Sequence, residues 1–464
     1  MVKKKNNSFT ELKKYSEIEL KEIIGDDDGL LKELQKYEYI KFDKEKELYT
    51  IKFVGVILIN DKIFRCYPKY IPEDIPDGYT QDEWNIQKEK DFKETMRVIR
   101  KYHKLKANFN QDKIEAEDAF SSMLSLMIFF IEDYYENGVY TNYQTIYETN
   151  GNGEINWDKT INNKIPLIKN KKPYYTELQT RYNLNNTKDF FRLLHEFIVT
   201  DCSKKLDDIE LLELLDLTPV NISENKLIDF GEKKQILTLL EKERNIEFNT
   251  RKRKLLKQMH NYISQEKTYE NKNTISVYGT TKYNVIWENI CCKVLKDKLN
   301  HEIINVDNYK DQKLKEIIEK PKWVFKNGKS FETSGLIPDL ITCNRDTFVI
   351  LDAKYYDITF EEDELKGQPG LESVTKQYLY ELAYKEFIEV AGFENNVRNA
   401  FLFPRYDTKN PIEKQKAINK GHVQLKFLTD IPLEEIQVIM LPVSKMNKYY
   451  LQNKHMKISE LNLK

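Results

Sequence analysis

Two short apolar stretches near the C-terminal end, residues 336–343 and 347–353, most restrict the fold that this chain can adopt. Both have the length and the β-branched composition of strands, and the three residues between them, 344–346 (Asn-Arg-Asp), are typical of a turn. The sequence therefore predicts an antiparallel hairpin with a three-residue loop, in which Cys343 pairs with Thr347.

Charged side chains interrupt this predicted hairpin, although a buried carboxylate or ammonium is costly unless it is paired or holds a metal ion. Asp339 lies in the first strand, and Asp352 and Lys354 lie at the end of the second. In the predicted register residue 351 is opposite Asp339, so a β-bulge is needed to bring Asp352 level with it. Asp352 and Lys354 share a face, because strand side chains repeat every two residues. Two carboxylates and one ammonium are thus predicted at one end of the hairpin.

Such a cluster suits metal-dependent phosphate chemistry. Two carboxylates can hold Mg²⁺, the ion lowers the pKa of a bound water, and a lysine stabilises the charge that develops on a phosphate. The alternative is a structural ion pair between Lys354 and one aspartate at a sheet edge. Pro338 before Asp339 and the apolar run 348–351 before Asp352 favour the metal site.

A third carboxylate is predicted from a separate helix. Residues 284–300 have a helical pattern, and Glu288 lies on the same stripe as apolar residues of that helix: Cys291, Cys292, Leu295 and Leu299. We expect Glu288 to point at the Asp339 and Asp352 pair. A helix-end residue exposed to solvent is the alternative.

Two polar residues occur on the helix predicted after the hairpin, residues 373–391, for which Ser373 is the expected N-cap. Lys376 and Gln377 flank the beginning of its apolar stripe. They could reach a phosphate or orient a ligand carboxylate, or they could be half-exposed first-turn residues. The sequence leaves both interpretations open.

The 464 residues are enough for roughly two to four domains, and we expect an α+β multi-domain protein. Residues 1–80 predict a small α+β domain with a strand hairpin within 46–68, and residues 81–270 a mainly helical middle region. Within that region, 231–266 predicts one long charged helix. Residues 271–464 predict a compact α/β domain that contains the candidate site. The first domain could read DNA or dock a partner, and its small basic excess favours docking.

Composition excludes several classes of protein. The formal net charge is -1, so a nucleic-acid partner would have to be bound by local clusters of basic residues. Five scattered cysteines without a C-x-x-C pair do not suggest a disulfide framework or a zinc knuckle, which favours the cytoplasm. The longest apolar run, residues 122–131, is too short to cross a bilayer.

The order of these residues along the chain resembles the PD-(D/E)XK nuclease superfamily, whose core is a mixed sheet flanked by helices. The matching positions are Glu288, Pro338-Asp339 and Asp352-Ala353-Lys354. This resemblance implies a nuclease-like α/β core in the C-terminal domain.

The same resemblance implies a role for each residue. Asp339 and Asp352 would be metal ligands, helped by the carbonyl oxygen of Ala353, and Glu288 would be the acid on the first helix. Lys354 would position the attacking water or stabilise the transition state. The pair Lys376-Gln377 is similar to an extra motif that some members carry on the following helix.

Four stretches together resemble the LlaJI family of restriction endonucleases, which is related to McrC, the nuclease subunit of modification-dependent restriction. They are 278–295, 336–340, 349–357 and 375–384. Two further stretches, 53–70 and 150–161, resemble the N-terminal regions of McrC-type proteins.

Membership would imply Mg²⁺-dependent cleavage of double-stranded DNA in defence against foreign DNA. McrC-like subunits usually work with an AAA+ GTPase, and restriction systems carry a cognate DNA methyltransferase. The chain has no G-x-x-x-x-G-K-[ST] motif, so any motor would be a separate protein. A double-strand cut needs two active sites, so we expect an oligomer. The rival predictions are a non-catalytic DNA-binding or scaffold subunit and a structure-selective repair nuclease.

Overall fold

The computed structural model describes most of the 464-residue chain. The described residues are 8–25, 28–59, 62–109, 122–269, 275–304, 306–318, 320–333, 335–361, 363–406, 416–428 and 433–464.

The helices, in chain order, are α1 (Glu17–Ile24), α2 (Asp28–Lys36), α3 (Gln81–Phe109), α4 (Met123–Asn137), α5 (Trp157–Asn163), α6 (Phe190–Asp208), α7 (Leu211–Leu215), α8 (Lys233–Ile246), α9 (Thr250–Tyr269), α10 (Tyr283–Val294), α11 (Leu314–Ile317), α12 (Leu371–Ala383), α13 (Lys385–Val390) and α14 (Val443–Leu451). Short 3-10 helices lie at Leu227–Phe230, Asp307–Tyr309, Lys426–Leu428 and Ile458–Leu461.

The strands are β1 (Ser8–Thr10), β2 (Lys14–Tyr15), β3 (Ile40–Asp43), β4 (Leu48–Ile51), β5 (Val54–Ile59), β6 (Lys62–Tyr67), β7 (Tyr143–Thr149), β8 (Glu154–Ile155), β9 (Leu167–Lys169), β10 (Lys172–Tyr174), β11 (Gln179–Asn185), β12 (Ile275–Thr280), β13 (Lys322–Val324), β14 (Ser330–Glu332), β15 (Leu340–Cys343), β16 (Phe348–Ala353), β17 (Thr359–Phe360), β18 (Leu365–Lys366), β19 (Val397–Arg405), β20 (Ile418–Val423) and β21 (Ile436–Pro442).

Contacts divide the chain into two compact units. The first combines residues 1–116 with residues 277–464, and the second spans residues 117–276. The mixture of helices with several sheets confirms the α+β multi-domain class. The predicted division into 1–80, 81–270 and 271–464 stays a prediction, as do the roles given to its parts.

A five-stranded mixed sheet forms the centre of the first unit, with the strand order β15-β16-β19-β21-β20. The strands β16, β19 and β21 run parallel, and the two outer strands are antiparallel to their neighbours. Parallel neighbours need a crossover, which α12 and α13 supply between β16 and β19. All residues of β16 and β21 are buried, as expected for central strands covered on both faces.

The predicted hairpin is formed by β15 and β16, but its register differs from the prediction by one residue. Cys343 pairs with Phe348, not with Thr347, so the loop has four residues rather than three. The Asn344 side chain accepts hydrogen bonds from the main-chain nitrogens of Asp346 and Thr347, both at 2.8 Å, and so holds the extra residue in the turn. Continuing this register places residue 339 opposite residue 352 without a bulge.

The N-terminal part of the first unit contains two small sheets, ordered β1-β6-β5-β12 and β2-β4-β3. The hairpin predicted within 46–68 is formed by β5 and β6, and its turn residues 60–61 lie outside the described residues. Gly55 has φ +139°, and a Cβ atom there would lie 2.3 Å from the main-chain oxygen of Tyr278. Only glycine therefore allows β5 to approach β12 this closely.

The second unit is built from the helices α4 to α9 and a three-stranded sheet ordered β7-β11-β8. The single helix predicted over 231–266 is wrong, because α8 ends at Ile246 and α9 begins at Thr250. The Asn249 side chain accepts a hydrogen bond from Lys252 N at 3.1 Å, so it starts a new helix at this point.

The helix predicted over 373–391 also differs in detail. It begins two residues earlier, with Gly370 as the N-cap in place of Ser373, and divides into α12 and α13 at Tyr384. Among the described helices, none is both long and apolar enough to cross a membrane.

Candidate active site

The end of the central strand β16 presents the first two candidate residues. Asp352 is 4% exposed, and its Oδ2 atom lies 2.8 Å from Lys354 Nζ. The other oxygen, Oδ1, is buried and has no hydrogen-bond partner. Lys354 N donates to Leu402 O at 2.9 Å, which fixes the lysine beside β19. Because buried polar atoms are normally paired, the unpaired Oδ1 indicates a place for an ion or a water.

Asp339 lies immediately before β15 and faces the same place. Its Oδ2 atom accepts a hydrogen bond from Ala353 N at 2.9 Å, and burial and then the nearby Asp352 raise the pKa of its carboxyl group. Its main-chain oxygen accepts a hydrogen bond from Cys292 Sγ at 3.5 Å, which ties the strand to α10. The two hairpin carboxylates therefore meet, as the sequence predicted.

Helix α10 brings Glu288 towards this pair. The neighbouring Trp287 is completely buried, and its Nε1 donates to Leu402 O at 3.4 Å, which anchors the helix on β19. Burial raises the pKa of Glu288, the negative charge of Asp352 raises it further, and the ammonium of Lys354 lowers it. Glu288 thus lies within electrostatic range of both residues, as expected for an acid directed at the site.

The crowding of negative charge is strongest at Asp339. Burial raises the pKa of this carboxyl group well above its usual range, and Asp352 and then Glu288 add to the shift, while the hydrogen bond from Ala353 N opposes it. Burial, then the charges of Asp352 and Asp339, raise the pKa of Tyr380 to about 12. A bound cation would relieve this repulsion, because it neutralises the carboxylates that crowd each other.

Asp339 and Asp352 fit a divalent ion as a pair of hard oxygen ligands, since one oxygen of Asp352 is buried and unused. Among the described residues, no three His, Cys, Asp or Glu side chains lie close enough together to hold one metal ion as they stand. Coordination by Glu288 and by the carbonyl oxygen of Ala353 stays a prediction.

The auxiliary pair occupies two different environments. Lys376 is exposed, and its Nζ lies 2.6 Å from Glu372 Oε1. The hydrogen bond and charge of Glu372 raise the pKa of Lys376, with a smaller contribution from Asp352. Gln377 is completely buried, and its Nε2 donates to Asn399 Oδ1 at 2.7 Å. Lys376 therefore lies towards the site, whereas Gln377 is part of the packing of α12 on the sheet.

The sequence did not reveal a set of residues that holds the segment after Lys354. Tyr355 donates through its hydroxyl to Glu11 Oε2 at 2.6 Å, and Lys69 Nζ donates to Tyr355 O at 2.7 Å. The Lys69 ammonium also lies 4.2 Å from the centre of the Tyr355 ring. The sequence signal for this set is the position of Tyr355 directly after Lys354. Its partners Glu11 and Lys69 give no such signal, because they come from the distant N-terminal part of the same unit.

Carboxylates and a lysine at the end of a strand in a mixed sheet are suited to an enzyme that hydrolyses phosphate esters. Comparison with protein families assigns the chain to the restriction endonucleases. The model of the LlaJI restriction endonuclease family matches residues 53–445, and the chain belongs to this family. This confirms the resemblance to the LlaJI family, whereas the resemblance to the PD-(D/E)XK superfamily stays a prediction.

A curated relative agrees with the assignment. The chain is 26% identical over 473 residues to the Type II restriction enzyme BsuMI component YdjA of Bacillus subtilis (strain 168). The match covers 99% of this chain and 92% of the relative.

Proposed function

We propose that this chain is the DNA-cleaving subunit of a restriction system, a Mg²⁺-dependent endonuclease with a PD-(D/E)XK-type core that hydrolyses phosphodiesters of double-stranded foreign DNA. The observation that carries the proposal is the meeting of Asp339, Asp352 and Lys354, with Glu288 in electrostatic range. The family membership supplies the substrate class.

Asp339 and Asp352 would hold the ion, with Glu288 and the carbonyl oxygen of Ala353 as further ligands. When bound, Mg²⁺ polarises a phosphate and makes a coordinated water more acidic. The raised pKa of Asp339 reflects the cost that burial and the neighbouring carboxylates impose on its charged form, and a bound cation would offset that cost. The crowded carboxylates therefore favour the metal-bound form of the site.

Lys354 is placed to act on the substrate. Its Nζ lies 2.8 Å from Asp352 Oδ2, so the ammonium stays at the edge of the carboxylate pair. In that position it can donate to a phosphate oxygen and stabilise the negative charge that develops when water attacks the phosphorus in line with the leaving oxygen. The cut would leave a 5′-phosphate. Lys376 would help to hold the phosphate from the rim of the site.

We further propose that the chain acts with other subunits in the cytoplasm. The relative from Bacillus subtilis is itself described as a component of a type II restriction enzyme. An AAA+ GTPase and a cognate DNA methyltransferase are the proposed partners, and two copies of the chain would make the two cuts of a double-strand break.

The test is restriction of unmodified plasmid and phage DNA by the chain together with the proteins encoded beside it. Asp352→Ala and Lys354→Ala should each abolish restriction in cells and Mg²⁺-dependent cleavage in vitro. The matched control is Asp346→Ala, which removes an exposed carboxylate from the turn of the same hairpin and should leave both activities unchanged.

Two outcomes would contradict the proposal. The first is full restriction by an Asp352→Ala variant that circular dichroism shows to be folded. It would mean that the chain is a scaffold and that another subunit cuts. Cleavage of branched DNA without any sequence or modification preference would instead indicate a repair nuclease.

A further inference from the structure

A two-stranded hairpin formed by β13 and β14 lies directly before the candidate site in the chain and is exposed along its whole length. All six residues of its two strands are exposed, and it forms its own two-stranded sheet. The turn is closed by hydrogen bonds from Phe325 N to Lys329 O at 2.8 Å and from Gly328 N to Phe325 O at 2.9 Å. Residues 322–332 are called the aromatic hairpin below.

One face of the aromatic hairpin carries three large rings. Trp323 pairs with Phe331 across the strands, so their side chains share a face, and Phe325 follows on that face two residues later. The three residues are 62%, 61% and 55% exposed in the same order. The rings of Phe325 and Phe331 meet edge to face with centres 5.7 Å apart. A cluster of exposed aromatic rings is typical of a surface that binds another molecule.

The same segment is strongly basic in a chain whose net charge is -1. Residues 320–333 contain four lysines and one glutamate. The lysines are Lys320, Lys322, Lys326 and Lys329, and none of them forms an ion pair with another described residue. Free ammonium groups beside exposed rings fit a polyanion that also offers flat apolar surfaces, which describes nucleic acid.

A second small hairpin in the same unit shows that this charge is not general. Residues 359–366, which include β17 and β18, contain four acidic residues and one lysine. That hairpin is tied to β20, because Lys420 Nζ lies 3.1 Å from Glu361 Oε1. The excess of lysine and the exposed aromatic rings therefore belong to the aromatic hairpin alone of the two, since Phe360 of the second hairpin is half-buried.

The chain length limits the distance between the aromatic hairpin and the candidate site. Thr333 N donates to Pro321 O at 3.1 Å, which closes the base of the hairpin, and Asp339 follows Thr333 by six positions in the chain. Six residues span at most about 20 Å. The major groove of B-DNA is about 12 Å wide and admits a two-stranded ribbon. The base of the aromatic hairpin is therefore less than two groove widths from Asp339.

We propose that the aromatic hairpin binds duplex DNA beside the scissile phosphate, with Trp323, Phe325 and Phe331 against the bases and Lys326 and Lys329 on the flanking phosphates. The proposal rests on the proposed function, because it takes DNA as the substrate of the neighbouring site. A protein partner would account for the exposed rings but not for the four lysines, since protein–protein interfaces are depleted of lysine.

The test measures binding of the full-length chain to a fluorescein-labelled duplex by anisotropy, with EDTA present to prevent cleavage, over a series of salt concentrations. The double variant Trp323→Ala/Phe331→Ala should bind about tenfold more weakly or worse, because the apolar contacts of two rings with base edges in the groove are lost. Lys326→Ala/Lys329→Ala should reduce the slope of log K against log salt by about 2. The control Phe427→Ala removes a ring that is 72% exposed elsewhere in the same unit and should leave binding unchanged.

Trp323 also gives a direct signal. Trp84 and Trp287 are buried, so in a Trp157→Phe background Trp323 is the remaining exposed tryptophan of the chain's four. Duplex DNA should protect its fluorescence from acrylamide.

The results separate this proposal from the proposed function. Unchanged affinity and salt slope in both hairpin variants, while the wild-type chain binds the duplex, would overturn the role of the aromatic hairpin alone. A change of molar mass in light scattering without a change in DNA affinity would do the same, because the rings would then bind another copy of the chain. Absence of DNA binding by the wild-type chain, alone and with its partner subunits, would overturn both.

Discussion

Two buried polar clusters lie against the central strands, and they are built in opposite ways. The carboxylate cluster consists of Glu288, Asp339, Asp352 and Lys354. The amide cluster consists of Gln377, Glu381 and Asn399. Asn399 lies beside Ile350, two residues before Asp352 on the neighbouring strand, so the clusters are close in the same sheet.

In the amide cluster most polar groups are paired with one another, although the buried Oε1 atom of Gln377 has no hydrogen-bond partner. Asn399 accepts from Gln377 Nε2 at 2.7 Å and donates to Glu381 Oε2 at 3.1 Å. Glu381 Oε1 accepts from Glu434 N at 2.9 Å. Burial raises the pKa of Glu381 to about 7, the hydrogen bonds from Glu434 N and Asn399 oppose the shift, and the charge of Glu434 adds a smaller increase. Such a network holds α12 on the sheet.

The carboxylate cluster is crowded where the amide cluster is complementary. Acids repel one another there, and one buried oxygen of Asp352 has no partner. Burial of polar groups alone therefore does not mark a functional site. Each cluster has one unpaired buried acceptor, so the distinguishing feature is the group of like charges held together beside a lysine, which a bound cation would make favourable.

The largest expected effect is from Asp339→Asn. It should reduce cleavage at least about 1,000-fold, because a metal ligand is worth several kcal/mol and each 1.36 kcal/mol is tenfold in rate. The same variant should unfold at higher urea concentration than the wild type at pH 8 in EDTA, since a repelling charge becomes an amide that can donate to Asp352. If Asp339→Asn were less stable than the wild type, the carboxylate cluster would stabilise the fold as the amide cluster does, and the contrast between the two clusters would be wrong.

Asn399→Ala should show the opposite pattern. It leaves Gln377 Nε2 and the Glu381 carboxylate without their shared partner, which costs about 2 to 3 kcal/mol in the free energy of unfolding. Cleavage per folded molecule should remain within a factor of about two of the wild type, because the Asn399 side chain bonds only Gln377 and Glu381 and none of the proposed reacting groups. Asn395→Ala, at an exposed position, is the control that should alter neither quantity.

Magnesium should act on one cluster only. Because the pKa of Asp339 is raised on folding, the folded protein binds a proton that the unfolded chain has lost, so stability in EDTA falls as the pH rises from about 4 towards the raised pKa. Mg²⁺ at a hundredfold excess over its Kd should restore about 2.7 kcal/mol at pH 8 and far less at pH 5. Asp339→Asn should lose this response, and Asn399→Ala should keep it. An equal response in Asp339→Asn would show that the ion binds elsewhere.

The smallest effect is expected at a third buried network. Tyr355→Phe removes the hydroxyl that donates to Glu11, which costs about 1 to 2 kcal/mol of stability. Cleavage should fall by about tenfold or less, since the segment that follows Lys354 becomes looser without losing a reacting group. Tyr356→Phe changes the adjacent, partly exposed tyrosine and should match the wild type in both measurements.

Much of the candidate site could be predicted from local patterns. The apolar runs on both sides of residues 344–346 specified a hairpin, and strand periodicity put Asp352 and Lys354 on one face. The predicted loop was one residue too short, because the side chain of Asn344 holds Thr347 within the turn. That contact depends on turn geometry, which composition does not specify.

Local sequence patterns were enough to predict the hairpin, the helix that carries Glu288 and the family, because these depend on short-range periodicity and on motifs in a fixed order. The burial of Gln377, the support of Tyr355 by Glu11 and the exposure of the aromatic hairpin became visible in the folded protein alone. Burial and pairing depend on surfaces that meet when distant parts of the chain pack together, and no local pattern encodes those contacts.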